Sequence, residues 1–140
     1  MSYATIVEGL HERFATVTAL KVILDHEPTA VHATPLLYSI LDGFERRVDG
    51  LTVRTVYRTV HWLLIAWQDS ETAEEQLRSL VDAIAQAVEA EPKLGGKVRP
   101  GDAQIVSGDA GWATVGNTEY RAVGFRSEVV ELSGYLGLRR

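Results

Sequence analysis

The chain contains no cysteine. That excludes a disulfide framework, thiolate-ligated metal and a cysteine nucleophile, and it fits a reducing compartment. Long apolar runs are also missing. No stretch approaches the ~18 consecutive apolar residues that a membrane-spanning helix needs. The first residues, Met1-Ser2-Tyr3-Ala4-Thr5, lack the basic start and apolar run of a secretory signal. There is no excess of positive charge: the formal net charge is −5, so the basic face of a tight nucleic-acid binder is not expected. The motifs of common chemistry are absent as well, with no HExxH, GxSxG, P-loop or GxGxxG. Gly95-Gly96-Lys97 has the glycines of a phosphate cradle, but no strand before it and no helix after it; it reads as a turn following Pro92. Among the histidines, His11 and His61 read as surface or cross-strand residues. His26 and His32 flank Pro28 in one loop, and two ligands are too few for a metal. Carboxylate pairs such as Glu74/Glu75 fall on a solvated helix face, away from any cleft suited to acid–base work. No catalytic residue, metal or cofactor is therefore expected.

What is present is a long hairpin, Leu36 to Trp67, around which the rest is organised. Asp49-Gly50 between apolar neighbours is a strong hairpin signal, because a tight turn needs residues that tolerate φ > 0. A two-residue turn there sets Glu45 opposite Arg54, Asp42 opposite Tyr57, Tyr38 opposite His61 and Leu37 opposite Trp62. The root is apolar, and Trp62 to Trp67 is apolar on both faces, as in a strand covered on both sides. The tip is polar. Strands of this length would run roughly 45 Å, against a radius of gyration of ~14 Å for a domain of this size. The hairpin must bend sharply or project as an arm.

Residues 2–17 read as a helix capped by Ser2, and residues 71–90 as a better defined one capped by Asp69 or Ser70. In the second, Ala73, Leu77, Leu80, Val81, Ile84 and Val88 form an apolar stripe, while Glu71, Glu75, Arg78, Asp82 and Glu89 lie opposite. Residues 69–91 carry seven acids and one base. Their simplest role is a solvated, solubilising face. Short strands are expected over Lys21–Asp25, Ala103–Ser107 and Trp112–Val115, and a longer one over Thr118–Leu132. The order predicts an α+β domain over residues 1–132, with one mostly antiparallel sheet, a long central hairpin and two helices packed on it, followed by a short tail over 133–140. Trp62 and Leu64 are expected to meet Leu77, Leu80 and Ile84 in the core. The aromatic residues read mostly as core. Phe44 and Tyr57, near the tip, are the candidates for contact anchors.

Several motifs in order carry a family resemblance: Val22-Ile23-Leu24-Asp25-His26-Glu27-Pro28; Tyr57-Arg58-Thr59-Val60-His61; Ala66-Trp67-Gln68-Asp69-Ser70 running into Ala73-Glu74; Asp82-Ala83-Ile84 to Glu91-Pro92-Lys93-Leu94-Gly95-Gly96; and Thr118-Glu119-Tyr120-Arg121 followed by Phe125 and Glu128-Val129. Taken together, from about residue 5 to 132, the chain resembles the tail terminator, or tail completion, proteins of long-tailed bacteriophages. The resemblance implies a structural virion protein, assembled in host cytoplasm. It implies a homo-oligomeric ring, usually of six, that caps the head-proximal end of the tail tube, stops tube growth and offers a joint to a head-completion or neck protein. DNA would pass through the ring without sequence-specific binding, and neither catalysis, cofactor nor membrane is implied.

The resemblance fixes no contact residues. The hairpin tip, with Phe44, Arg46, Arg47, Asp49 and Arg54, is our candidate for the contact with a neighbouring subunit or the tube. The acidic stripe Glu71, Glu75, Asp82 and Glu89 is either solvated, borders the channel, or receives the tip's arginines. Another head–tail connector, or a small host ligand-binding domain, is the competing reading.

Overall fold

Two helices lie on one face of a five-stranded sheet in a computed structural model that describes residues 3–67, 69–96 and 102–134. The elements are α1 (Tyr3–Phe14), β1 (Val22–Leu24), β2 (Leu36–Asp49), β3 (Thr52–Ala66), α2 (Ser70–Glu89), a short 3₁₀ turn (Leu94–Gly96), β4 (Ala103–Val115) and β5 (Thr118–Gly134). The sheet order is β1-β2-β3-β5-β4, antiparallel throughout except for the short parallel pairing of β1 with β2. The fold is α+β.

α1 is shorter than its apolar spacing suggests. It ends at Phe14, where Thr16 folds its hydroxyl back onto the Arg13 carbonyl at 2.6 Å. The run Thr16-Val17-Thr18 is β-branched and costs the helix χ1 freedom. The expected cap at Ser2 lies outside the described residues. α2 matches its pattern closely. Asp69 caps it, accepting from the Thr72 amide at 2.8 Å. Ala73, Leu77, Leu80, Ile84, Ala87 and Val88 are buried.

The helix-bearing face holds the larger core. Ile6, Leu10 and Phe14 of α1 and Leu77, Leu80, Ile84 and Val88 of α2 pack on Leu37, Leu63, Ile65, Val123, Phe125 and Val129. Trp62 and Leu64 are not part of it. They point to the opposite face with Leu36, Tyr38 and Ala122, under Val22, Leu24 and Val31. The reason is visible in the run Trp62–Ile65: it is apolar on both sides because both faces of this end of the sheet are covered. On that second face Gly124 lies directly opposite Trp62, and a Cβ built there would come within 3.0 Å of the indole.

The hairpin turn falls one residue later than Asp49-Gly50 suggests. Asp49 pairs with Thr52, and the loop is Gly50-Leu51. Of these, Gly50 alone has positive φ, at 63°, the arrangement of turns with glycine at the first central position. Arg47 therefore faces Arg54, and Glu45 faces Val56. The expected Glu45–Arg54 pair is absent, and Glu45 instead accepts from Arg58 at 3.2 Å. A β-bulge at Asp42, next to Gly43 with φ 144°, then offsets the root, setting Tyr38 opposite Trp62 and Leu37 opposite Leu63. The hairpin is also not a two-stranded arm. β5 pairs with β3 along its whole length, from Ala66↔Tyr120 to Thr52↔Gly134. Ser133 and Gly134 thus continue β5, and the remainder of the expected tail lies outside the described residues. The two strands expected over 103–115 are one. Gly108 to Gly111 stay paired because β5 offers an unbroken partner, with a bulge at Val106.

Candidate functional site

The five tip residues expected to make contacts, Phe44, Arg46, Arg47, Asp49 and Arg54, are all exposed. They divide between faces. Phe44 and Arg46 lie on the helix-bearing face with Leu41 and Val48, whereas Arg47 and Arg54 lie opposite each other on the other face. β1 covers only Leu36–Tyr38, so among the described residues β2 beyond Tyr38 is a free sheet edge. On it Leu41, Phe44 and Val48 are exposed, and Leu51 is exposed in the turn; Phe44 stands 66% open. A free edge with large apolar side chains is a site for pairing or docking. Among the described residues, Arg46, Arg47 and Arg54 form no ion pair. Arg47 and Arg54 are like charges directly opposite, which destabilises a strand pair. The middle strand differs: Val53 and Val56 are buried, between Val48 and Ser133 and between Glu45 and Val130 respectively. Tyr57 is not a free anchor either, since the Tyr3 ring meets it edge-on at 5.4 Å.

Glu71, Glu75, Asp82 and Glu89 are exposed along α2, opposite its buried stripe, as their spacing indicates. Glu74 is set apart from them. It accepts from Arg121 Nε at 2.7 Å, and this hydrogen bond holds its carboxyl below the usual range. Arg121 also donates to the Gly111 carbonyl at 2.7 Å and lies 5.2 Å from the centre of the Trp112 ring. Trp112 in turn meets Trp67 edge-on at 6.1 Å, and each tryptophan is 52% exposed. Neither is the core residue that its aromatic character suggests. The one cue against that was Trp67's position between the end of β3 and the cap of α2.

A buried polar chain crosses the sheet beneath α1, built from residues that no sequence pattern marks out. His11 Nε2 lies 2.7 Å from Ser39 Oγ, which lies 2.6 Å from His61 Nδ1; His61 Nε2 lies 2.8 Å from Ser127 Oγ. Ser127 donates to the Thr59 carbonyl at 3.5 Å. That last bond sets the direction of the rest: Ser127 accepts from His61 Nε2–H, His61 Nδ1 accepts from Ser39, and Ser39 accepts from His11 Nε2–H. His61 is thus the neutral Nε2–H tautomer, and His11 carries a proton on Nε2. His61 is fully buried, not at the surface, and burial pushes its pKa down to about 3, helped by the nearby His11. Burial also lowers the pKa of His11. Every group in the chain has its partner, so the arrangement supports packing specificity.

Among the described residues no group of three His, Asp or Glu side chains is placed to hold a metal ion, and no helix is long and apolar enough to cross a membrane. No protein-family model matches the chain, and no curated protein matches it in sequence.

Proposed function

We propose that this chain is a non-enzymatic structural subunit of a ring, with six copies, that caps the head-proximal end of a phage tail tube. In this reading it ends tube polymerisation and joins the tail to a head-completion or neck protein, while DNA passes through the ring unread. The observation that carries the proposal is the edge of β2, with Phe44, Val48 and Leu51 exposed beside arginines that no acid among the described residues neutralises. Surfaces of this kind are completed by a partner. The ordered resemblance noted above names the kind of assembly. Another head–tail connector rests on the same observation; a gene lying immediately before the tube gene favours the terminator over it.

The test is a triple variant, Arg46→Glu, Arg47→Glu and Arg54→Glu. All three side chains are exposed, so the subunit's melting temperature should stay nearly constant while ring formation and capping of growing tubes fail. Unfolding of the variant would assign the tip to the subunit's own core. Normal capping, with tubes of uniform length, would remove the tip from the assembly.

A further inference from the structure

We propose that the hairpin tip of one copy docks on the Trp67–Trp112 platform of the next, so that the chain associates with itself head to tail. The inference deepens the ring reading and rests on it. Two patches carry it, and they are complementary in both polarity and charge.

The first patch is the tip: Phe44, Val48 and Leu51 exposed, and Arg46, Arg47 and Arg54 without an acid among the described residues. The second is the platform at the far end of the same sheet. Trp67 and Trp112 present two half-open indoles, and Glu71 and Glu75 stand exposed on the first turns of α2. Glu71, Glu74 and Glu75 are neighbours on the helix surface by their spacing of three and four. Glu74 grips the Arg121 that stacks on Trp112, and Glu71 and Glu75, which form no ion pair among the described residues, are the neighbours of Glu74 on the helix surface.

The platform is held before any partner arrives. Arg121 is fixed by Glu74 on one side and the Gly111 carbonyl on the other, and it fixes Trp112. A preorganised aromatic site loses little side-chain freedom on binding, and tryptophan is the residue type most enriched at energetic centres of interfaces. The incoming tip supplies the missing anions' counterpart. Docking would place carboxylates against Arg46, which shares the helix-bearing face with Phe44 and Val48, and would bring negative charge to the tip where Arg47 and Arg54 oppose each other on the other face.

The geometry makes this contact heterologous. The tip lies at the Thr52 end of β3 and the platform at its Ala66 end, so the length of β3 separates them by roughly 45 Å at ~3.3 Å per residue. Phe44 and Val48 lie on the helix-bearing face, as do Arg121 and Trp112, which pair with each other and lie in register with Ile65. One surface meets a different surface, and each copy keeps one of each unfilled. Repetition closes into a ring if the rotation closes.

The experiment is a charge exchange read by sedimentation velocity. One variant carries Arg46→Glu and Arg47→Glu; the other carries Glu71→Arg and Glu75→Arg. Each alone should be monomeric, because tip and platform then have the same sign. Mixed in equal amounts they should assemble again, each tip having a platform of opposite sign. In a second arm, Trp112→Ser and Trp67→Ser should each weaken association of the otherwise native chain at least about tenfold, with far-UV circular dichroism and melting unchanged. Two tryptophans are tried separately so that a folding defect in one leaves the other informative. Failure of the mixture to assemble, association indifferent to both tryptophans, or a native chain that stays monomeric at millimolar concentration would each overturn the docking. Tube capping by the same variants is scored separately. Capping that survives the platform changes while the tip changes abolish it would sink this contact, keep the ring reading and identify the tip's partner as the tube.

Discussion

His61 stays uncharged well into the acid range, and folding is what keeps it so. Its pKa falls from an ordinary 6.5 to about 3 on burial, so between those values the unfolded chain binds a proton that the folded chain refuses. Stability then falls with falling pH, by up to about 1.4 kcal/mol per pH unit from this one group. The shift of His11 has the same direction. Urea unfolding from pH 7 to 4 should show this slope, and His61→Leu, though less stable overall, should flatten it by about one proton. An unchanged slope would mean that His61 is charged in the folded protein. The imidazole was visible in the sequence but its burial was not. Ser39, Ser127 and Thr59 are individually unremarkable, and they meet His61 only after strand pairing sets Ser39↔His61 and Thr59↔Ser127 side by side. The Ser39↔His61 pairing depends on the bulge at Asp42, which no spacing announced.

Among the elements, α2 is the one whose sequence determines its position most directly. Its acids and apolar residues separate cleanly at helical spacing, and the cap at Asp69 is local. Leu80 is buried in the helix-side core, and Leu80→Ala should cost roughly 2 to 5 kcal/mol in chemical unfolding; a loss well under 1 kcal/mol would mean that α2 is not packed there. The strand partnering this helix was harder to read. Alternation decides a face only when one side is polar, and Trp62-Leu63-Leu64-Ile65 has no polar side, so Trp62 and Leu64 were assigned to the face that Leu63 and Ile65 occupy. The hairpin shows the converse. Its turn lies one residue later than Asp49-Gly50 suggests, which moves every cross-strand partner between the turn and the Asp42 bulge by two, and those beyond the bulge by one. A shift of two leaves each side chain on its own face, so Phe44 and Arg46 still share the face of Val53 and Thr55. β4 was divided at Gly108–Gly111 because glycines weaken a strand locally, whereas its pairing with β5 is decided from outside.

At the scale of the molecule, both helices occupy one face of the sheet, and among the described residues β2 continues past β1 as a free edge. The extra residue Asp42 lies at the start of that free stretch, between the covered root and the exposed tip. A bulge bends its strand and increases the local twist, so it acts as a fixed elbow between the body and the tip. In the ring reading, this makes the subunit count a matter of angle. Six copies close only if each junction turns the next subunit by about 60°, and part of that turn is built into one residue of β2. Deleting Asp42 leaves the register on either side intact, since Leu41↔Thr59 and Gly43↔Arg58 are already consecutive on β3. The shortened strand should straighten. Electron microscopy of the variant should then show rings of a different number or open helical filaments, while rings of unchanged symmetry would place the curvature elsewhere. A single insertion in an edge strand would thus set the difference between a closed cap and an endless polymer.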